Sequence, residues 1–315
     1  MPEKVRIRTP SRLHVTLIDL NGSLGRIDGG VGISVNEPFV EVIGRRSDEV
    51  SVEGGINADR FRNIALKLEK HFGFSATLEV KSDYRPHIGL GSGTQISLAV
   101  ATIYATLAGK KMSVRELASL VGRGGTSGIG VAAFEYGGFI VDGGHSTKVK
   151  PSFLPSSASK APPPPVIARH DFPDWKIVIA IPELTGAHGR AEVDLFSKNC
   201  PIPLEEVREL SHIILMQMLP AVVEEDLDAF CKALNRIQQI GFKRIEVERY
   251  DVIKDLLSTI DCAGMSSTGP AIFAVTDTDA KSISKEIKSF FSDAGFDCES
   301  IITRARNRGA EVELL

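Results

Sequence analysis

Residues 86–94 read PHIGLGSGT. Gly89, Gly91 and Gly93 alternate there with Ser92 and Thr94, and an apolar helix, TQISLAVATIYA, follows. Glycines at that spacing let the main chain adopt positive φ and approach a ligand closely. Ser92 or Thr94 is placed to cap the helix. The unpaired amides of the first turn, together with the helix dipole, favour negative charge, and a phosphate is the natural guest. A single turn of this kind also serves as a plain strand–helix connection. Two further turns strengthen the anion reading. One is GRGGTSGIG at 122–130; the other is AGMSSTGP at 263–270, where Ser266, Ser267, Thr268 and Gly269 add donors. Hydroxyl-bearing glycine turns in both halves predict one shared anionic site at the junction between them.

A fourth turn, IDLNGSLGRIDGGVG at 18–32, holds Asp19, Arg26 and Asp28 among five glycines. Two carboxylates and an arginine on such a loop suit Mg²⁺ and a phosphorylated ligand, or else a hairpin loop with surface ions. Asp19 is expected to place Mg²⁺ or to face a developing cation. Arg26 is expected to pair with phosphate. Arg12 and His14 lie two apart at the start of a strand, so they share a face and can reach the site together. His87 stands at the mouth of the glycine loop. His188 and Arg190, in TGAHGRAE at 185–192, are further candidates for binding substrate, on a turn that also reads as an ordinary connection.

The elements that must position these groups are α+β. RLHVTLIDL, VGISV, FVEVIGRR, EVSVEG and ATLEVKSD read as strands. Phe61, Ile64, Ala65, Leu68 and Phe72 repeat at helical spacing after Asn57. Ser113 followed by Glu116 is a capping box that opens another helix. PSFLPSSASKAPPPPVIARHDFP, 151–173, holds four consecutive prolines and reads as a linker or mobile loop. It divides an N-terminal phosphate-binding domain, 1–150, from a C-terminal α+β domain, 174–315. In the latter, WKIVIAIP is a strand, two or three helices follow over PLEEVRELSHIILMQMLP, VEEDLDAFCKALNRIQQIG and YDVIKDLLSTI, and GPAIFAV, AKSISKEIKSFFSDAG and CESIITRAR read as strand, helix and strand.

The 315 residues are 43% hydrophobic, ample for a two-domain core. Net charge is -3 with acidic and basic residues well mixed, so no electrostatic case exists for nucleic acid. No apolar run nears the ~18 residues of a membrane span, and no apolar signal segment opens the chain, so a soluble cytoplasmic protein is expected. Cys200, Cys231, Cys262 and Cys298 are widely spaced and are expected to be four ordinary thiols, without zinc ligation or a disulfide framework.

PHIGLGSGT resembles the phosphate loop of the GHMP kinases, the galacto-, homoserine, mevalonate and phosphomevalonate kinases. GTSGIGVAAFEYGG and MSSTGPAIFAV resemble two further motifs of that superfamily, in its order and over nearly the whole chain. The resemblance implies an N-terminal ribosomal-protein-S5-like α/β domain and a C-terminal ferredoxin-like α+β domain. One departure stands out. Where many of those kinases carry an aspartate that assists the attacking hydroxyl, this chain has Gly130.

RTPSRLHVTLIDLNGSLGRIDGGVGISVNEP resembles an archaeal branch of the superfamily, the β-ribofuranosylaminobenzene 5′-phosphate synthases. That resemblance implies condensation of phosphoribosyl pyrophosphate with 4-aminobenzoate, release of CO₂ and pyrophosphate, a place on the route to methanopterin, and a homodimer. The glycine loop, Gly89 to Thr94, would hold the pyrophosphate, and Mg²⁺ would arrive with it. Such chemistry needs stabilisation of a departing anion rather than a strong base. Two other readings stay open at this point: an ATP-dependent small-molecule kinase, favoured by the intact loop, and a non-catalytic metabolite-binding regulator, favoured by Gly130.

Overall fold

The structure is a computed structural model and describes residues 2–156, 158–186 and 189–315. The chain opens with a long antiparallel hairpin, β1 (Lys4–Asp19) and β2 (Arg26–Ser47), whose register shifts twice: between Thr9 and Ser11, where β2 carries the extra residues, and between His14 and Thr16, where β1 does. VGISV and FVEVIGRR, read as two strands, are one bent strand. Then come β3 (Ser51–Glu53), α1 (Ala58–Phe72), β4 (Ser75–Ser82), α2 (Ser92–Leu107), α3 (Val114–Val121), α4 (Ile129–Glu135), β5 (Phe139–Asp142), β6 (His145–Ser146) and β7 (Val166–His170). The second half runs β8 (Lys176–Pro182), α5 (Arg190–Asn199) and α6 (Leu204–Ile213), with α6 continuing through a π-helical turn into α7 (Leu219–Glu224). It closes with α8 (Leu227–Ile237), α9 (Gly241–Val247), α10 (Asp251–Leu257), β9 (Ala263–Met265), β10 (Ile272–Thr276), α11 (Ala280–Asp293), β11 (Cys298–Arg304) and β12 (Glu311–Leu314).

The first sheet has the order β12-β1-β2-β4-β3, with β5 and β6 on β2 and β7 on β5; the second is β11-β8-β10-β9. Sheet membership crosses the expected division of the chain. The C-terminal β12 returns to pair with β1, Val5 opposite Leu314. The stretch expected to be only a linker contains β7, because the alternating VIARH after the last proline pairs antiparallel with β5.

Local sequence accounts for most elements. Phe61, Ala65 and Leu68 bury one stripe of α1, which ends on Gly73 at φ 77°. Ser113 and Glu116 form the expected capping box, with the Glu116 amide donating to Ser113 Oγ at 3.2 Å and the Ser113 amide to Glu116 Oε2 at 2.7 Å. The apolar α2 is buried on nearly all sides and sits close on the sheet: a Cβ at Gly44 would fall 2.3 Å from Ile103. Ile177, Ile179 and Phe273 of the second sheet share a hydrophobic cluster with Leu13, Val31 and Val141 of the first, so one core runs through both halves. Among the described residues no helix is long and apolar enough to cross a membrane.

The expectation of four unpaired thiols is corrected. Cys231 of α8 and Cys262, just before β9, form a disulfide with Cα atoms 4.3 Å apart, and Cys200 and Cys298 are free. Packing of α8 against β9 brings together two cysteines 31 residues apart, which their spacing alone does not announce.

Candidate active site

Two glycine turns from opposite ends of the chain interlock. Ser266 Oγ donates to the Gly89 carbonyl at 2.7 Å and accepts from the His14 amide at 3.0 Å. The Ser267 amide donates to His14 O at 2.9 Å, and the Ala271 amide to Ile88 O at 3.1 Å. A Cβ on Gly89, at φ 88°, would fall 2.4 Å from the Ser266 carbonyl, so only glycine fits. Arg12, from β1, donates to the Gly89 carbonyl as well. A cavity of about 240 Å³ lies over this junction.

One end of the cavity is strongly cationic. α2 begins at Ser92 with Gly91 as its N-cap at φ 80°, and no side chain caps it. Neither Ser92 nor Thr94 plays the expected capping part, because the left-handed Gly91 starts the helix before them. The first-turn amides therefore face the cavity without side-chain acceptors. Arg60, from the first turn of α1, and Arg123, from the turn after α3, close over the same loop. A Cβ on Gly93 would stand 2.7 Å from one Arg60 nitrogen and 3.5 Å from one of Arg123. Arg123 Nε donates to Ser97 Oγ at 3.1 Å, and Arg60 lies 3.5 Å from His87 Nε2. Among the described residues neither arginine pairs with a carboxylate. Burial lowers both guanidinium pKa values, and Arg60 lowers that of Arg123 further.

The opposite wall is a buried polar network behind the 122–130 turn. Asp28 is buried and takes His145 Nδ1 at 2.6 Å and Lys150 Nζ at 3.0 Å. Lys150 also donates to Thr126 Oγ1 at 2.9 Å and to Leu154 O at 2.7 Å. His145 Nε2 reaches the Pro162 carbonyl at 2.9 Å. These bonds strap the proline-rich segment across the turn. The glycines make room for it: a Cβ on Gly124 or Gly128 would fall 2.8 Å from Pro163 or Pro164. Pro155 and Ser156 of the strap line the cavity. On the second half, fully buried Lys243 donates to the Ser267 carbonyl at 2.8 Å and pairs with Glu246, a cavity residue, at 2.6 Å.

Residues 59–138 match the family model of the GHMP kinases N terminal domain, and residues 218–293 that of the GHMP kinases C terminal region. The chain is 56% identical over 312 residues to the β-ribofuranosylphenol 5′-phosphate synthase of Archaeoglobus fulgidus, covering 98% of this chain and 100% of that one. The chain belongs to the β-ribofuranosylphenol 5′-phosphate synthase family. The Methanothermobacter thermautotrophicus member is 50% identical over 96% of this chain and 97% of its own. A homoserine kinase structure from Cytophaga hutchinsonii, 17% identical with a TM-score of 0.69 over 99% of this chain and 98% of that one, shares the fold. The GHMP two-domain α+β fold is thus present, and the chain is an enzyme rather than a non-catalytic regulator.

Within this synthase the sequence-predicted residues sort unequally. Arg12, His87, Gly89, Gly91, Ser92, Gly93, Thr94, Ser267 and Thr268 line the cavity. Ser266 and Gly269 stand behind the lining, Ser266 as a latch and Gly269 at φ 76° to turn the chain. Asp19 and Arg26 are not brought to the cavity. Asp19 Oδ1 accepts from the Asn21 and Gly22 amides at 2.8 and 2.9 Å, closing its own turn. Arg26 is exposed and donates to the Gly143 and Gly144 carbonyls at 2.9 and 2.8 Å. Asp19 closes its own turn and Arg26 holds the Gly143–Gly144 turn, and neither lines the cavity. Arg190, exposed at the start of α5, is also off the lining, and His188 lies outside the described residues. His14 reaches the lining beside Arg12, as their shared strand face predicts, whereas sequence reasoning missed Arg60, Arg123, Ser127 and Glu246 as lining residues.

A Cβ at Gly130 would come within 3.2 Å of Thr94, so any side chain there would crowd the phosphate loop's own threonine.

Proposed function

We propose that this chain condenses phosphoribosyl pyrophosphate with a benzoate that carries an electron-donating para group, forming a C-riboside 5′-phosphate and releasing CO₂ and pyrophosphate on the route to methanopterin. The observation that carries this reading is the pair of guanidinium groups, Arg60 and Arg123, held over the α2 N-terminus with no carboxylate partner among the described residues. Two like charges gathered beside helix amides are stabilised by an anion of several charges, as a diphosphate is.

The acceptor is 4-hydroxybenzoate or 4-aminobenzoate. The resemblance in sequence suggests the amine, whereas the name of the relatives puts a phenol in their product. Either para group pushes electrons to the ring carbon that bears the carboxylate. Departure of diphosphate from the anomeric carbon leaves an oxocarbenium-like centre. Arg12, Arg60, Arg123 and the first-turn amides stabilise the departing charge. Among the described residues no group of three or more His, Cys, Asp or Glu could hold a metal ion. Mg²⁺ would travel on the diphosphate and neutralise its charge, with Glu192 a nearby lining carboxylate. Gly130 suits this chemistry, since no alcohol has to be deprotonated at that position. We favour the homodimer and the cytoplasm that the family resemblance implies.

The test supplies Mg²⁺, phosphoribosyl pyrophosphate and carboxyl-labelled 4-hydroxybenzoate or 4-aminobenzoate, and follows labelled CO₂. Stoichiometric CO₂ and pyrophosphate support the synthase. ATP-dependent phosphorylation of homoserine or mevalonate without CO₂ release would overturn it.

A further inference from the structure

Beyond the phosphate end, the cavity wall holds a hydroxyl set between an imidazole and a buried carboxylate. Ser127 Oγ lies 3.0 Å from His14 Nε2 and 3.5 Å from Asp142 Oδ2. Ser127 and His14 line the cavity; Asp142 is completely buried and does not. The carboxylate therefore meets the cavity only through the serine. Its oxygens are fixed by the Gly128 amide at 2.9 Å and the Gly144 amide at 3.0 Å. Gly30 lets the three groups gather: a Cβ there would fall 2.9 Å from Ser127 Oγ, 3.0 Å from Asp142 Oδ2 and 3.2 Å from His14 Nε2.

The chemistry of the two flanking groups differs. Burial pushes the Asp142 carboxyl up to about 7, opposed by the two amides, so it can both take and return a proton at neutral pH. Burial, with Arg12 and Lys243 nearby, holds His14 well below the usual imidazole range, so it is neutral. With Nε2–H donating to one lone pair of Ser127 Oγ, its Nδ1, which has no partner among the described residues, carries only a lone pair; the second lone pair of Oγ accepts from the Ile129 amide at 3.2 Å, the bond that an incoming hydroxyl displaces.

The strand β1 sets the order along the wall. Arg12 meets the phosphate loop, and His14 follows on the same face about 6–7 Å away. The bulge between His14 and Thr16 changes the phase, so Leu17 also reaches the cavity. There it shares an apolar cluster with the lining residue Phe196. Diphosphate, proton-accepting hydroxyl and apolar wall are thus arranged as a para-substituted ring attacking C1 would need.

We propose that Ser127 receives the para hydroxyl of the aromatic acceptor and relays its proton to Asp142, while His14 orients Ser127 and Leu17 and Phe196 flank the ring. This rests on the reaction proposed above. The phenolic proton passes to Ser127 Oγ as the Ser127 proton passes to Asp142 Oδ2. The oxygen's electron pair moves through the ring to the carbon bearing the carboxylate. That carbon bonds to the anomeric carbon as the C–O bond to diphosphate breaks. Loss of CO₂ leaves its electron pair in the ring, and the para oxygen takes the proton back along the same path.

An amino donor needs no prior loss of a proton, so the two acids separate a relay from a structural role. Ser127→Ala and Asp142→Asn should each lower kcat for 4-hydroxybenzoate about 100-fold, for 4-aminobenzoate less than about 5-fold, and leave KM for phosphoribosyl pyrophosphate nearly unchanged. Ser127→Thr, which keeps the hydroxyl, should recover most of the rate, and thermal unfolding checks that each variant folds. Equal losses with both acids, or no loss, would overturn the relay. A wild type inactive with both acids would sink the reaction but leave the relay to a second measurement. The visible band of bound 3-nitro-4-hydroxybenzoate, read with pyrophosphate and Mg²⁺ present, should show more phenolate in the wild type than in Ser127→Ala. Equal ionisation in the two proteins, or no binding by the wild type, counts against the relay. This band also decides where only one acid is turned over.

Discussion

Ser266 Oγ donates to the carbonyl of Gly89 across 177 residues of chain, at 2.7 Å, and the same oxygen accepts from the His14 amide. The bond joins the C-terminal glycine turn to the phosphate loop and to β1 at once. Ser266→Ala strands a buried amide and weakens the satisfaction of a buried carbonyl, at a cost of about 1–3 kcal/mol. Urea unfolding should show that loss, and KM for phosphoribosyl pyrophosphate should rise as the loop loosens. Unchanged stability would mean that the turns are held together by other contacts.

The paired guanidinium groups make a sharper test of the phosphate end. Arg60→Gln or Arg123→Gln removes a charge-assisted bond worth about 1.5–3 kcal/mol, so kcat/KM for phosphoribosyl pyrophosphate should fall roughly 10- to 150-fold. Arg26→Gln, whose side chain holds only the Gly143–Gly144 turn, should fall much less. Calorimetric titration with pyrophosphate should rank the three variants in the same way. A larger loss from Arg26 than from Arg60 would reverse the assignment.

One buried lysine carries several of the bonds that hold the strap over the active site. Lys150 Nζ bonds both oxygens of Asp28, at 3.1 and 3.0 Å, as well as Thr126 and Leu154. Lys150→Met leaves Asp28 buried with, among the described residues, His145 as its remaining side-chain partner. Removing one member of a buried ion pair costs about 3–5 kcal/mol. Thermal unfolding should register the loss, and activity should drop with the displacement of Pro155 and Ser156 from the cavity wall.

Gly130 offers a test of divergence from the kinases. Gly130→Asp forces a Cβ to within 3.2 Å of Thr94 and adds a carboxylate beside the phosphate loop. Overpacking of that kind costs about 1–3 kcal/mol, and the added charge opposes the diphosphate. Synthase activity should fall, with no gain in ATP-dependent phosphorylation of homoserine. A variant that gained kinase activity would show that one residue separates the two chemistries.

How far such a site can be read from sequence depends on the kind of signal each residue leaves. The 89–93 and 266–269 turns were readable because positive φ demands glycine, and alternating glycines with hydroxyls are rare enough to notice. Their contact was not readable, since it is made by main-chain atoms far apart in the chain. Arg60 was hidden on the polar face of an amphipathic helix, where an arginine looks solvated until the fold lays the loop against it. Asp19 and Arg26 had the right chemistry in a glycine loop, but Asp19 is satisfied by its own turn's amides and Arg26 by carbonyls more than a hundred residues away, a pairing that spacing does not announce. The fold's periodic elements, α1, α3 and β8, were plain from spacing. β12 and the short α4, α5 and α9 were not, because their stability comes from neighbours distant in sequence. The Cys231–Cys262 bridge was lost for the same reason.

Asp142 gives the fold a pH dependence of definite sign. Its folded pKa, about 7, lies above the ordinary aspartate value of about 3.9. Between those values the folded chain binds a proton that the unfolded chain has released. Folding stability from this group is therefore full at low pH and is lost as pH rises through about 7. Asp142→Asn cannot titrate, so stability measured relative to that variant isolates the effect from Asp28, His145 and other neighbours. Urea unfolding at pH 5, 6, 7 and 8 should show the wild type losing ground to Asp142→Asn at up to about 1.4 kcal/mol per pH unit, levelling off at the alkaline end. A constant difference across that range would mean that Asp142 is ionised throughout, and its capacity to accept and return the acceptor's proton near neutrality would go with it.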